Sequence, residues 1–143
     1  LDVKSLYNYA LFMRVGLSLE MELESILSGY SLSPGRFTIL NMLVMDKDMK
    51  IMPSEIAQKV GVTQATMSGL VSSLEKAGLI SKIGHERDGR AYYIQATEKA
   101  HNLVKEILPQ WMPLVTKFWS QLDDEEGERF SKTLHKLALA SVG

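Results

Sequence analysis

Pro53-Ser54-Glu55-Ile56-Ala57, then Gly61-Val62-Thr63-Gln64-Ala65-Thr66-Met67-Ser68, then Leu79-Ile80-Ser81-Lys82, Asp88-Gly89-Arg90 and Tyr92-Tyr93-Ile94 form the stretch that decides the fold. The fixed φ and missing N–H of Pro53 suit the first turn of a helix that points Ile56, Ala57 and Val60 inward. Gly61 takes the turn. Thr63 is placed to cap a next helix running to about Ala77 on Met67, Leu70, Val71 and Leu74, and Gly78 can adopt the left-handed conformation that ends it. Residues 79–83 and 91–95 are β-prone runs joined by a polar loop with two glycines, which reads as a hairpin. Two helices that cross closely want a small residue at the crossing, a flexible one in the turn and apolar ones inside. Ala57, Gly61, Ile56, Val62, Met67 and Leu70 meet those needs. A helix-turn-helix followed by a basic hairpin points at a ligand, the DNA duplex.

Outward from this segment the chain is helical. Leu6, Ala10, Met13, Leu17, Met21 and Leu27 recur at mostly three- and four-residue spacing, one stripe of a long first helix that ends near Gly29 and needs a partner. Ser33 and Pro34 read as N-cap and first position of a second helix buried on Phe37, Leu40, Leu43 and Val44, stopped at Asp46-Lys47-Asp48. Ile51 can supply a short strand. After the hairpin, Thr97 caps a helix with Ala100, Val104, Ile107 and Leu108 inward, in which Pro109 and Pro113 predict a kink or break near residues 110–112. Asp123 with Glu126 makes an acidic capping arrangement for a last helix carrying Phe130, Leu134, Leu137 and Ala138 on one side. The expected fold class is mostly α with a small β-hairpin wing (α+β).

Composition bounds the function. The 143 residues hold 45% apolar and 23% charged side chains, enough for one domain or two small lobes sharing a core. No apolar run reaches the roughly 18 residues of a membrane-spanning helix, and no basic segment followed by an apolar core opens the chain, so the expectation is a cytoplasmic protein with no membrane partner. Leu1 in place of Met suggests a trimmed N-terminus. With no cysteine there is no disulfide, thiolate zinc site or Cys nucleophile. The net charge of −1 argues against coating nucleic acid by bulk electrostatics. Residues 54–95 carry five bases against four acids and the remainder eleven against thirteen, a contrast that leaves geometry to decide.

The outward face of the second helix of the pair offers Gln64, Ala65, Thr66, Ser68, Gly69, Ser72 and Ser73, small or uncharged and mostly able to hydrogen-bond. Gln can contact adenine bidentately, Ser and Thr can serve base edges or phosphates, and Ala or a Thr methyl can pack on the thymine methyl. No outward Arg or Lys precedes Lys76, so guanine readout is missing and an A·T-rich half-site is expected. The bland alternative is a merely solvated polar face. Arg87 and Arg90 at the hairpin tip, with Lys82, supply the positive charge, and such an arginine can enter a narrow A·T minor groove; Asp88 would orient Arg90. Ser54 and Thr63 complete the candidate DNA-binding set. If a dimer neutralises about six phosphates, log affinity falls with log salt at a slope near −5.

Residues 32–100 resemble the MarR family of bacterial winged helix-turn-helix regulators. Leu32-Ser33-Pro34-Gly35-Arg36-Phe37 is similar to the family's second helix, Pro53-Ser54-Glu55-Ile56-Ala57 to its third, residues 63–80 to its recognition helix and following strand, and Asp88-Gly89-Arg90 with Thr97-Glu98-Lys99 to its wing. Ala96 stands where the family usually has Leu, and Ala100 where it usually has Gly. The resemblance implies a winged helix-turn-helix lobe over residues 32–97 and a helical dimerisation region over 1–31 and 98–143, in a homodimer bound to double-stranded DNA at an inverted-repeat operator. Trp111, Met112, Leu114, Phe118, Trp119, Phe130, Leu134 and Leu137 independently favour a core shared between subunits. The expected mechanism is a repressor released by a small-molecule effector held between the two lobes, where Arg14 could pair an anionic ligand; an ordinary surface salt bridge is the plainer role for Arg14. Tyr7, Met13, Trp111 and Met112 read as core.

No catalytic residue, cofactor or metal site is expected. His85, His101 and His135 are scattered and form no i, i+4 pair. Two rivals stay open: a metal-sensing regulator with His and carboxylate ligands, and a winged-helix protein that binds other proteins and has lost DNA.

Overall fold

The computed structural model describes residues 1–46, 48–84 and 91–141. Lys47 and the hairpin tip, with Arg87, Asp88 and Arg90, lie outside them. Six helices and two strands follow in order: α1 (Val3–Leu27), a 3₁₀ turn (Ser28–Tyr30), α2 (Pro34–Val44), α3 (Pro53–Val60), α4 (Gln64–Lys76), β1 (Ile80–Gly84), β2 (Tyr92–Ala96), α5 (Glu98–Trp119) and α6 (Asp124–Ser141).

Short-range side-chain chemistry sets most boundaries. Ser33, Thr63 and Thr97 each accept a hydrogen bond from the backbone N–H three residues on, capping α2, α4 and α5. At α6 the capping is reciprocal: Glu126 N–H donates to Asp123 Oδ1 at 2.8 Å, and Asp123 N–H to Glu126 Oε1 at 3.2 Å. Asp2 caps α1, and hydrogen bonds from the Ser5 hydroxyl and N–H hold its carboxyl below the usual carboxylate range. Gly61 and Gly78, both at φ 74°, end α3 and α4 in the left-handed region where a Cβ is penalised. After Gly78 the N–H of Leu79 reaches back to Leu74 O at 3.0 Å, which satisfies that carbonyl beyond the helix end.

One apolar core runs through both halves of the chain. Phe37, Leu40 and Leu43 of α2, Ile56 and Ala57 of α3, Met67, Val71 and Leu74 of α4, and Ile94 of β2 are buried with Leu27 of α1 and Ala100, Val104 and Ile107 of α5. The antiparallel hairpin pairs Lys82 with Ile94 and Gly84 with Tyr92, and Ile51 adds a single bridge to Ile94. A residue's shift separates the strands from the expected 79–83 and 91–95.

Two expectations need correction. The kink or break at residues 110–112 is not a break: α5 is one helix from Glu98 to Trp119. Pro109 and Pro113 strip the carbonyls of Lys105 and Pro109 of their donors, yet all three residues lie on one exposed face, where the freed carbonyls meet solvent. The opposite face holds the helix down, with Ile107 buried and Trp111 edge-on to Phe37 at 5.0 Å between centroids, and at its exposed flank Gln110 Nε2 donates to Tyr30 Oη at 2.6 Å. The second concerns Tyr7, Met13 and Met112, read as core. They are 65%, 52% and 46% exposed in the single chain. Of the whole α1 stripe only Leu27 is buried, and no residue of α6 is.

Candidate DNA interface

Burial around α4 is one-sided, and that decides which side chains can be read from outside. Met67, Val71 and Leu74 are buried and Leu70 is half-buried, while Gln64, Ala65, Thr66, Ser68, Gly69, Ser72 and Lys76 are exposed. With Glu75, eight positions of this 13-residue helix are exposed, and the face is uncharged up to Glu75 and Lys76 at its far end. Nothing lies within 4 Å of the place where a Cβ on Gly69 would sit, so this face is open.

The N-terminus of α4 is built by two threonines. Thr63 Oγ1 accepts from the Thr66 N–H at 3.1 Å and donates to Thr66 Oγ1 at 3.0 Å. The hydroxyl of Thr63 is therefore committed to the cap, and Thr66 keeps its own proton to offer outward. Ser54, in the first turn of α3, is also exposed. Ser73 departs from the outward set. It is half-buried and accepts from Arg36 Nη1 at 3.0 Å, while Arg36 Nε donates to Ser33 Oγ at 3.1 Å. Ser73 thus joins α4 to the start of α2.

Lys82 is exposed on β1 and held on two sides, with its ammonium 3.6 Å from Glu75 Oε1 of α4 and 4.7 Å from the centre of the Tyr92 ring. This pins the hairpin stem to one flank of α4, and a phosphate there would have to share the charge with Glu75. The same C-terminal end of α4 is latched by the start of α5. Thr97 Oγ1 donates to Gly78 O at 2.7 Å, and Lys99 Nζ donates to Ala77 O at 2.7 Å, a cation on the negative end of the α4 dipole. Sequence reading missed Arg36 and Lys99 because their partners lie 37 and 22 residues away.

Arg14 lines a cleft of about 350 Å³ between α1 and α5, together with Glu22, Lys117 and Gln121. Beside it a more apolar cleft of about 560 Å³ opens between α1, α2 and α5, lined by Leu23, Thr38, Trp111 and Val115 among others. Arg14 is not among its lining residues. Among the described residues no group of three or more His, Asp or Glu side chains could hold a metal ion, and no helix is long and apolar enough to cross a membrane.

A third groove, about 580 Å³ and wholly apolar, runs between α1 and the α5–α6 corner, with Phe12, Val15, Phe118, Trp119, Phe130 and Leu134 in its walls. Around it Leu6, Leu17, Met21, Leu137 and Leu139 are each more than half exposed.

Known proteins resemble this chain along most of its length. The MarR family profile matches residues 30–91. The HTH-type transcriptional repressor YetL of Bacillus subtilis is 29% identical over 137 residues, covering 96% of this chain and 82% of the relative. The S. aureus MepR–DNA complex superposes with a TM-score of 0.82 at 23% identity, over 94% of this chain and 97% of that one. CouR from Rhodococcus jostii RHA1, solved with p-coumaroyl-CoA, gives 0.76 at 20% identity over 90% and 88%.

Proposed function

We infer that this chain, which the MarR family profile matches over residues 30–91, is a sequence-specific transcriptional regulator of that family, not an enzyme, acting in the cytoplasm as a homodimeric repressor on an inverted-repeat operator. The observation that carries the reading is the outer face of α4. Its polar residues are short, its backbone is exposed at Gly69, and its rear is locked by Met67, Val71 and Leu74. Such a face enters a major groove closely, with Gln64 reading adenine and Ala65 and the Thr66 methyl meeting thymine methyls in an A·T-rich half-site. MepR, of the same fold, has been solved on DNA. Ser54, Ser68, Ser72 and Lys82 would add phosphate or base-edge contacts, and Arg87, Asp88 and Arg90 the wing contacts.

A second copy of the chain is the partner for the apolar groove between α1 and the α5–α6 corner. Exposed leucines, methionines and aromatics in that density exceed what a monomeric surface carries, and two-fold pairing would cover them and set two α4 helices about one turn of DNA apart. Release follows if a small molecule binds one spacing of the lobes better than the other. The cleft between α1, α2 and α5 suits an aromatic or aliphatic body, and Arg14 with Lys117 next to it suits an acidic head group. That CouR was solved with an acyl-CoA supports a ligand-responsive reading.

Selection of bound duplexes from random DNA tests the reading. The expected product is an inverted repeat of A·T-rich half-sites, and Gln64→Ala should lose preference at one position per half-site, a discrimination of about 1–3 kcal/mol. No enriched motif for the wild-type protein, or an unchanged motif for the variant, refutes the assigned readout.

A further inference from the structure

Arg36 is a cation beside the recognition helix that no acid among the described residues neutralises. Among the described residues the ion pairs are Lys82 with Glu75, Arg129 with Glu125 and Lys132 with Glu128, and Arg36 is in none. Its guanidinium is fastened by two neutral hydroxyls, Ser33 Oγ through Nε and Ser73 Oγ through Nη1. A guanidinium has five N–H donors, so three remain to which the described residues offer no acceptor. Nη2, which has no partner among them, is not a buried group, so its two N–H donors open to solvent. An arginine tied down by serines keeps its full charge and a fixed plane, whereas a carboxylate partner would have cancelled the charge.

Its position completes the picture. At about 100° per residue, Ser73 and Glu75 lie roughly 160° apart around α4, on opposite flanks of the exposed strip formed by Ala65, Gly69, Ser72 and Lys76. Ser73 stands one turn beyond Gly69 and two beyond Thr66 on its own flank. Lys82, on Glu75, marks the flank nearest the hairpin; Arg36 marks the other. A helix about 10–12 Å across fills a major groove about 12 Å wide, so each flank faces one phosphate strand.

We propose that Arg36 clamps a backbone phosphate on the DNA strand opposite the one the wing faces, and so fixes how α4 is rolled in the groove. The proposal rests on the DNA-binding reading of α4. The ligand group is a phosphodiester, met by the free edge of the guanidinium, with Ser33 and Ser73 acting as positioning residues that hold its plane. Phosphate contacts position and carry no sequence information. Arg36 therefore differs from Gln64 in what its loss does.

The test uses the full-length protein and a duplex selected by the wild type from random DNA. For one lost contact per protomer in a dimer, Arg36→Gln should flatten the slope of log affinity against log salt by about 1.8, with the selected motif unchanged. Gln keeps an amide for the two serine hydroxyls, and thermal unfolding shows whether the variant is folded. Ser73→Asp reaches the same end with the arginine in place, since a carboxylate against the guanidinium competes with phosphate, and its slope should flatten at least as far. A slope within error of the wild type in either folded variant overturns the proposal. So does a changed motif at constant slope, which would mean that Arg36 merely orients α4. A wild-type protein that selects no duplex refutes the parent reading instead, and the clamp with it.

Discussion

Replacing Thr97 by Val removes one hydroxyl that serves two elements and leaves the side chain's shape intact. That hydroxyl accepts from the Ala100 N–H at 3.3 Å as the N-cap of α5 and donates to Gly78 O at 2.7 Å at the turn that ends α4. Loss of a threonine cap costs about 1 kcal/mol, and loss of the second hydrogen bond about 1 kcal/mol more. Thr97 is half-buried but Gly78 is exposed, so water recovers part of the second contribution and the total stays at or below about 2 kcal/mol. At an unfolding entropy of about 2.1 cal/mol/K per residue, a chain of this length loses up to about 7 °C of midpoint temperature for that change. The assay is thermal unfolding by circular dichroism at one protein concentration, because any dimer's midpoint depends on concentration. Thr97→Ser keeps both bonds and should stay within about 0.5 kcal/mol of the wild type. A Val variant that melts with the wild type, or a Ser variant that falls as far as Val, refutes the account of how α5 is joined to α4.

Further predictions address the turn and the apolar surface. Gly61→Ala should destabilise by about 1–2 kcal/mol, because the position sits at φ 74° although space around it is open, and Gly61→Asn should cost less; denaturant midpoints compare the two. Phe12, 55% exposed in the wall of the apolar groove, is predicted to lie in the subunit interface, so Phe12→Glu should shift the protein from dimer to monomer in analytical ultracentrifugation. A wild type that sediments as a monomer, or a variant that stays dimeric, contradicts that placement.

Sequence reading reached furthest where cause and effect lie within one turn. Ser33, Thr63, Thr97 and the Asp123–Glu126 pair act on N–H groups three residues away, so their spacing is the whole signal. Gly61 and Gly78 were legible because a left-handed turn between two apolar-periodic helices has few other solutions. Reading failed where a distant partner decides. Ser73 has the same polarity as Ser72, and only Arg36, 37 residues back, turns it from outward to inward. Pro109 and Pro113 obey a local rule that predicts disruption, but their common exposed face and the anchoring of Trp111 on Phe37 keep α5 whole. The stripe on α1 was visible as apolar, yet a single chain's sequence does not distinguish a face buried in its own core from one left bare.

The central claim is that two α4 helices, paired by the helical ends, read successive major grooves through a nearly uncharged face. Hydroxyl-radical footprinting of the wild-type protein on its selected duplex tests this most directly. The account predicts protection symmetric about the dyad of the inverted repeat, in two patches centred about 34–36 Å apart on one face of the DNA. A single protected patch, or protection without two-fold symmetry, would contradict it.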